Sequence, residues 1–224
     1  MQINKKITFL YAEITPYFYG CLKYLANKYP LYKVEVIYID KFENINLNQI
    51  SGYNFFNKDT FSSKHELFKH LDFNQPDLLL VSGRMDKDYL YVTKKLSKKC
   101  ITVSLQDTIY SNSIKQFIKK LFSRYLYKQY FKKIWATGTM HSAFALSMGY
   151  SYDKIRDGFY VADEKYFNEE IHKTYEDESY KFLFIGRLVK EKNIEVFASM
   201  LDQINSQSKT NHELNIIGRG ILEN

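Results

Sequence analysis

One stretch decides the fold of this chain: Tyr180-Lys-Phe-Leu-Phe-Ile-Gly-Arg-Leu-Val-Lys-Glu-Lys-Asn-Ile194. An apolar run, predicted as a strand, leads into Gly186, and a helical pattern begins at Ile194. Arg187 and Lys192 lie in the loop between strand and helix. Because a helix N-terminus carries a partial positive charge, this loop combines two permanent cations with a favourable dipole. The pattern predicts a diphosphate site at the carboxyl end of a buried strand.

Apolar runs alternate with helical patterns along the rest of the chain, and residues 40–62 between them are predicted to be irregular. The predicted strands are Lys6–Ala12, Lys33–Ile39, Leu78–Val81, Ile101–Ser104, Lys133–Ala136 and Glu213–Ile217, with one more beginning at Tyr180. The predicted helices are Tyr17–Lys28, Ser63–Leu71, Lys87–Ser97, Ile114–Lys132, Ser142–Met148 and Ile194–Ile204. Continuous apolar strands separated by helices favour a parallel sheet covered on both faces. We therefore predict an α/β chain with a Rossmann-like N-terminal domain.

A change in composition after Phe167 predicts a domain boundary. Residues 168–179 contain five acidic side chains and little that is apolar, which is typical of a linker. The predicted organisation is an N-terminal domain over residues 1–167, a linker over 168–179 and a second domain beginning at residue 180. One βαβ unit is too small to have its own core, so we expect residues 180–224 to be an incomplete domain.

Composition and charge restrict the class of protein. The chain has 224 residues, of which 45% are hydrophobic and 17% aromatic, enough for a globular core rather than disorder. Its net charge of +7 accompanies heavy use of Lys, Asn, Ile and Tyr, so the charge reflects composition as much as function. No RRM, KH, zinc-finger or helix-turn-helix pattern accompanies the charge, and we expect no nucleic-acid partner.

Cysteine usage and hydropathy favour a cytoplasmic location. Cys21 and Cys100 have neither metal-ligand spacing nor a redox motif, which is typical of small buried residues in a reducing compartment. Glu13 interrupts the first apolar run too early for a signal peptide. Residues 134–152 carry no Lys, Arg, Asp or Glu, but their Gly, Ser, Thr and His content disfavours a membrane span.

Three segments together resemble the retaining glycosyltransferases of the GT-B fold, of the family-four type that elongates bacterial capsules, O-antigens and other envelope glycans. They are Phe184-Ile-Gly-Arg-Leu-Val-Lys-Glu-Lys-Asn-Ile194, Leu214-Asn-Ile-Ile-Gly-Arg-Gly-Ile-Leu222, and the approach from Gly149-Tyr-Ser-Tyr-Asp-Lys-Ile155 to Val161-Ala-Asp-Glu-Lys-Tyr-Phe167. They occur in the family's order and spacing, which makes the combination more specific than any one motif. The resemblance covers the last third strongly and the first two thirds by strand–helix pattern.

The resemblance implies a UDP- or GDP-sugar as donor substrate and no cofactor. Gly186, Arg187 and Lys192 would bind the donor diphosphate, and Gly218 and Gly220 would belong to its nucleotide loop. Without a metal, fixed cations and backbone dipoles must stabilise the charge that develops on the departing diphosphate. The acceptor would be a lipid-linked saccharide in envelope polysaccharide synthesis. The alternative is that Arg187 and Lys192 are ordinary solvated charges.

The chain also departs from the family pattern. Arg219 and Ile221 occupy positions where the family usually has Asp and Pro, and no glycine pair follows the first strand. The family's paired glutamates would lie beyond Asn224, so the resemblance predicts a C-terminally truncated enzyme. An inactive paralogue that serves as an acceptor- or membrane-binding module is the alternative. Gln106 and Asp107 replace a frequent His, and Asp107 is the candidate catalytic residue that would contact the donor sugar or acceptor hydroxyl.

Two further patterns allow a metal or catalytic interpretation beside a structural one. Asp86-Lys-Asp88 has the spacing of a divalent-metal motif, but it also begins a predicted helix, where acidic residues favour the dipole. We favour helix capping and expect no metal site. The five histidines have no zinc-type spacing, and only His141 lies near the predicted cleft, where a structural role is favoured.

The helical pattern over residues 114–134 has no acidic residue. Its apolar positions would face the core of an amphipathic helix, leaving a solvated basic face. Alternatively, the basic face would contact anionic lipid, placing the protein peripherally at the inner face of the cell membrane. The basic residues predicted to make this contact are Lys115, Lys119, Lys120, Arg124 and Lys128. The sequence leaves both interpretations open.

Overall fold

The computed structural model describes residues 5–42, 45–83, 86–107, 125–158, 161 and 179–223. The chain divides into two compact units, Met1–Asn168 and Glu169–Asn224. Of the predicted linker over residues 168–179, all but Ser179 lies outside the described residues. No helix among the described residues is both long and apolar enough to cross a bilayer.

The first unit contains a seven-stranded sheet in which every neighbouring pair is parallel. Its order across the sheet is β3-β2-β1-β4-β5-β6-β7, so the strands progress in opposite directions from the β1–β4 boundary. This is the doubly wound, Rossmann-like arrangement, and the predicted fold class is confirmed. The strands are β1 (Lys6–Ile14), β2 (Lys33–Lys41), β3 (Tyr53–Asn57), β4 (Leu78–Ser82), β5 (Ile101–Gln106), β6 (Lys133–Ala136) and β7 (Ile155–Arg156).

Helices cover both faces of this sheet. Successive residues of β1 enter different apolar clusters, because side chains alternate across a strand: Phe9 joins the cluster that contains Phe18 of the first helix, and Leu10 joins the other. Residues 125–130 are also helical and contribute Tyr127 to the second cluster. The four helices with described bounds are α1 (Pro16–Lys28), α2 (Lys64–Phe73), α3 (Lys87–Leu96) and α4 (Thr139–Ser147).

The prediction of an irregular segment over residues 40–62 is wrong in part, because β3 lies within it. β3 pairs with β2 in parallel, from Val34 opposite Tyr53 to Tyr38 opposite Asn57. It forms one edge of the sheet and contains two asparagines, which an edge strand with a single neighbour tolerates. β7, at the opposite edge, has only two residues and gives no periodic signal.

The N-terminus of α2 forms half of a capping box, a motif in which the N-cap residue and the residue three positions later each cap a backbone amide of the other. The Ser63 hydroxyl accepts a hydrogen bond from the Glu66 amide at 3.3 Å, as that motif requires. The Glu66 carboxylate, however, accepts hydrogen bonds from the backbone amide of Ser62, at 2.7 Å, and from the Ser62 hydroxyl, at 2.6 Å. These bonds from Ser62 lower the pKa of Glu66.

The second unit follows the predicted strand–loop–helix–strand order. It comprises β8 (Lys181–Ile185), α5 (Ile194–Gln207) and β9 (Glu213–Ile217), and its two strands are parallel. Phe182 of β8 contacts Phe197 of α5 edge-to-face, with 5.5 Å between ring centroids. On the opposite face Ile185 is 70% exposed. Parallel sheets are normally covered on both faces, and within residues 179–223 only one face is covered.

Candidate functional site

Two loops join at the carboxyl ends of β8 and β9. The first comprises residues 186–193 and the second residues 218–222, and we refer to them as the loop pair. The Gly186 amide donates to the Ile217 carbonyl at 3.0 Å, and the Leu188 amide donates to the Arg219 carbonyl at 2.9 Å. The Leu222 amide in turn donates to the Leu188 carbonyl at 3.1 Å. These backbone bonds fix the first loop against the second.

The contact between the loops requires glycine at two positions. A Cβ added to Gly218 would lie 1.9 Å from the Gly186 carbonyl oxygen, and one added to Gly220 would lie 2.2 Å from the Leu188 carbonyl oxygen. A Cβ at Gly186 would meet nothing closer than the Phe184 ring, at 3.4 Å. Packing inside the chain therefore requires glycine at positions 218 and 220 but not at position 186. The role of Gly218 and Gly220 in nucleotide binding stays a prediction.

The predicted diphosphate cations are exposed on the first loop. Within the described residues, neither Arg187 nor Lys192 forms an ion pair. Lys192 ends a 3₁₀ turn, Lys190–Lys192, and Asn193 follows in the left-handed conformation with φ 53° and ψ 30°. The Asn193 side chain does not cap α5. The first amides of α5 are thus left without a side-chain acceptor, beside two unpaired cations.

A further cation that sequence reasoning missed belongs to the same loop pair. Arg219 is exposed in the second loop, between the two glycines that touch the first. In the sequence, Arg219 is noticeable only as a departure from the family pattern. With Lys190, it brings the loop pair to four cations, against three carboxylates: those of Glu191, of Glu195 at the start of α5, and of Glu223, whose Oε2 accepts a hydrogen bond from the Gly220 amide at 3.4 Å. This excess of positive charge favours an anionic ligand.

The Asp86-Lys-Asp88 motif caps a helix, as predicted. Asp86 Oδ1 accepts hydrogen bonds from the backbone amides of Asp88, at 3.0 Å, and Tyr89, at 2.8 Å. The Lys58 ammonium lies 2.5 Å from Asp86 Oδ2 and 3.0 Å from Asp88 Oδ2, so a lysine bridges the two carboxylates. Burial opposes protonation of Lys58, but hydrogen bonds to Asp86 and Asp88 raise its pKa. In the described part of the chain, no cluster of three or more acidic, His or Cys side chains is arranged to hold a metal ion.

The N-terminus of α1 is closed by groups of the chain itself, in contrast to that of α5. Thr15 Oγ1 accepts a long hydrogen bond, 3.5 Å, from the Phe18 amide. Pro16 at the first helical position has no N–H to offer. This geometry agrees with the missing glycine pair after β1 and leaves the loop pair as the better anion site.

Asp107 follows β5 at the carboxyl edge of the seven-stranded sheet. Its side chain is exposed, whereas that of Gln106 before it is buried. At the same edge the Ser82 hydroxyl accepts a hydrogen bond from the Ala12 amide at 2.8 Å. This bond connects the end of β4 to β1, where the strand order reverses. Ligands of open parallel sheets bind along this edge, so Asp107 is correctly placed for its predicted role, which stays a prediction.

Of the five basic residues in the predicted membrane contact, the structure describes one. Lys115, Lys119, Lys120 and Arg124 lie outside the described residues, and Lys128 is exposed. The helical segment 125–130 buries Tyr127 in the core but leaves Tyr125 79% and Leu126 52% exposed. Two apolar side chains thus accompany Lys128 on the surface.

Comparison with known proteins defines the fold. No protein family model matches the chain, and no curated protein is similar to it. Among solved structures, the lipopolysaccharide outer core galactosyltransferase WaaB is 16% identical with a TM-score of 0.59, over 96% of this chain and 61% of WaaB. HepE of Anabaena, in complex with UDP and glucose, is 13% identical with a TM-score of 0.59, over 97% of this chain and 62% of HepE.

The chain has the GT-B fold. A UDP-GlcNAc 2-epimerase from Neisseria meningitidis, bound to UDP-GlcNAc, shares it at 11% identity and a TM-score of 0.54, over 94% of this chain and 66% of the epimerase. The chain spans about three fifths of WaaB and HepE. At such low identity the likeness concerns the fold, which a galactosyltransferase and an epimerase both use.

Proposed function

We propose that this chain belongs to a glycosyltransferase that transfers a sugar from a UDP- or GDP-sugar to an acceptor. The observation that carries the proposal is the loop pair, where Arg187 and Lys192, which form no ion pair within the described residues, precede an α5 N-terminus that the Asn193 side chain does not cap. Proteins of this fold have been solved with UDP and glucose and with UDP-GlcNAc, in HepE and the N. meningitidis epimerase respectively. These ligands support a nucleotide-sugar as the partner of the cationic loop pair.

The chemistry follows from the charge that the leaving group develops. Transfer breaks the bond between the anomeric carbon and the diphosphate oxygen, and the electron pair stays on the diphosphate. The planar guanidinium of Arg187 can contact two phosphate oxygens, and Lys192 adds a compact positive charge. Because these groups bind the diphosphate more strongly in the transition state, where it gains negative charge, than in the intact donor, they lower the barrier to bond cleavage. We propose a retaining, metal-independent reaction, in which Asp107 contacts the sugar or the acceptor hydroxyl.

A titration with nucleotide tests the diphosphate site. We expect the chain to bind UDP or GDP weakly, and the double substitution R187A/K192A to weaken that binding about tenfold or more, because each cation makes charge-assisted hydrogen bonds. Binding is measured from ³¹P NMR shifts of the nucleotide at low ionic strength. The control K154A/K209A removes the same net charge from exposed positions outside the loop pair.

Equal affinities for the two double variants would contradict the diphosphate site. A second measurement separates transfer from epimerisation, since a galactosyltransferase and a 2-epimerase both share this fold. The chain is incubated with UDP-GlcNAc and a saccharide acceptor, and the products are followed by ¹H NMR. We expect little activity from these 224 residues alone, and the product that forms should contain a new glycosidic linkage. Formation of the C2 epimer would contradict the proposed function.

We further propose that the acceptor is lipid-linked, in synthesis of an envelope polysaccharide such as capsule or O-antigen. The protein would then be cytoplasmic and peripheral at the inner membrane face. Exposed Tyr125 and Leu126 beside Lys128 support this placement, because interfacial segments combine apolar and basic side chains. The same surface would serve an inactive paralogue as a membrane-binding module, which is the second candidate function.

Flotation with liposomes tests the membrane contact. At low salt we expect the chain to bind vesicles with an anionic lipid better than neutral ones, and K128E to reduce that binding about fivefold or more, since one basic residue near the surface contributes about 1 kcal/mol. K209E is the control with the same change of charge in the second unit. Equal binding to anionic and neutral vesicles would exclude the membrane contact.

A further inference from the structure

One face of the two-stranded sheet in the second unit is apolar and exposed. Side chains alternate across a strand, so Leu183 and Ile185 of β8 lie on the face opposite to Phe182, which contacts α5. Ile217 of β9 is the register partner of Ile185 and lies beside it. Leu183 is 60% exposed, Ile185 70% and Ile217 58%. We refer to the face formed by Lys181, Leu183, Ile185, Glu213, Asn215 and Ile217 as the open face.

An apolar face of a parallel sheet is normally covered. In the first unit, apolar clusters lie on both sides of the seven parallel strands. In the second unit α5 covers one side, and no segment within residues 179–223 covers the other. Neighbouring exposed apolar side chains with polar residues at their rim mark sites of contact with another protein surface. The open face is therefore an interaction surface.

The charged residues of the open face restrict what can occupy it. Lys181 is the first residue of β8 and Glu213 the first residue of β9, and Lys181 Nζ lies 3.4 Å from Glu213 Oε2. Both side chains are exposed. Glu213 would repel an anionic membrane or an acidic protein, and Lys181 would repel a basic protein. A complementary surface must present one positive and one negative charge, in the opposite order across the strands.

A second copy of the chain presents its charges in that order. When two open faces pack about a twofold axis parallel to the strands, β8 of each copy lies over β9 of the other. The strand register then places Lys181 opposite Glu213 of the second copy, and Ile185 opposite Ile217 of the second copy. Each contact occurs twice, as a twofold interface requires. The open face is thus complementary to itself in both charge and apolar character.

We propose that the open face is a dimer interface, in which β8 of each copy packs over β9 of the other. The interface is small, and Leu183 would meet the polar Asn215. Because standard interfaces contain about 20–30 residues on each side, we expect a weak dimer with a dissociation constant on the order of 10–100 μM. In the dimer, the strands that carry the loop pair belong to a sheet covered on both faces.

Charge reversal tests this arrangement, because it makes each variant repel itself and attract the other. In a K181E dimer two acidic side chains would oppose each other in both contacts, and in an E213K dimer two basic side chains would do so. An equimolar mixture of the two variants restores opposite charges in both contacts. Sedimentation velocity of the 224-residue chain without nucleotide, from about 5 to 300 μM, measures the association.

We expect the unchanged chain to dimerise and each single variant to have a dissociation constant raised about tenfold or more. The mixture of K181E and E213K should dimerise at least as well as the unchanged chain. I185N should also prevent dimerisation, because it removes an apolar side chain from the open face. The controls K154E and D202K make the same changes of charge at exposed positions outside the open face and should leave the dissociation constant unchanged.

Three results would overturn the proposal: a monomer over the whole concentration range, dimerisation that survives in either K181E or E213K, or a mixture of these variants that stays monomeric. A monomer would mean that another part of the chain covers the open face. Dimerisation does not depend on the proposed function, since the measurement uses no nucleotide and no substituted residue belongs to the loop pair. Its failure therefore leaves the UDP titration unaffected, and failure of that titration leaves the sedimentation result unaffected.

Discussion

Replacing Gly218 with alanine is expected to break the contact between the two loops of the loop pair. The new Cβ would lie 1.9 Å from the Gly186 carbonyl oxygen and 3.0 Å from its carbonyl carbon, far inside van der Waals contact. Both neighbours are backbone atoms, so no side chain can rotate away to make room. We expect the substitution to destabilise the second unit by about 3 kcal/mol, at the upper end of what overpacking costs.

Hydrogen–deuterium exchange locates this effect. The amides of Leu188 and Leu222 donate across the loop pair, and both should exchange faster in G218A as their acceptors move away. G220A should act in the same way, because its Cβ would lie 2.2 Å from the Leu188 carbonyl oxygen. G186A is the matched control, with only a side-chain contact at 3.4 Å and an expected cost below about 1 kcal/mol. Equal exchange in G218A and G186A would show that the loops are not in contact.

Replacing His70 with alanine is expected to destabilise the first unit by about 3–5 kcal/mol. Glu35 is 2% exposed in β2, and its Oε2 lies 3.1 Å from His70 Nε2 and 3.8 Å from Lys6 Nζ. Without His70 the buried carboxylate keeps only the longer contact, and removing one partner of a buried pair is costly. The His70 ring also packs against Phe56 and Phe61, with centroids 5.3 Å and 5.1 Å away.

Urea denaturation measures this cost, and two further variants identify its origin. H65A removes an exposed histidine from the same helix. The His65 ring lies 5.2 Å from the Tyr91 ring, centroid to centroid, and its loss should lower the free energy of unfolding by less than about 1 kcal/mol. In an E35Q background, H70A should cost less than in the unchanged chain, because the buried charge has been removed. If H70A costs the same in both backgrounds, the histidine acts through its aromatic contacts alone.

These two predictions concern residues for which the sequence offered different amounts of information. Gly218 and Gly220 stand out in the sequence, but as part of a nucleotide loop, and their contact with the first loop is visible only in three dimensions. The Glu35–His70 pair gave no signal at all, because its members are 35 positions apart and belong to a strand and a helix. Sequence reasoning singled out His141 instead, from its place after a predicted strand, and its buried ring Nδ1 has no hydrogen-bond partner within the described residues.

The Asp86 motif shows where sequence reasoning succeeded and where it stopped. Capping by Asp86 could be predicted, since a cap depends on groups two and three residues away. The lysine that bridges Asp86 and Asp88 could not, because Lys58 follows β3, the strand that sequence reasoning missed.

The sequence by itself determined the α/β class, most of the strands and helices, and the loop that carries Arg187 and Lys192. Each of these depends on the spacing of apolar residues or on the order of neighbours along the chain, which local physical chemistry can interpret. Tertiary structure alone decided that two glycines are needed for backbone contact, that Glu35 pairs with His70, and that the Gln106 side chain is buried. Those features depend on which distant segments meet when the sheet forms, and one sequence carries no local signal of that pairing.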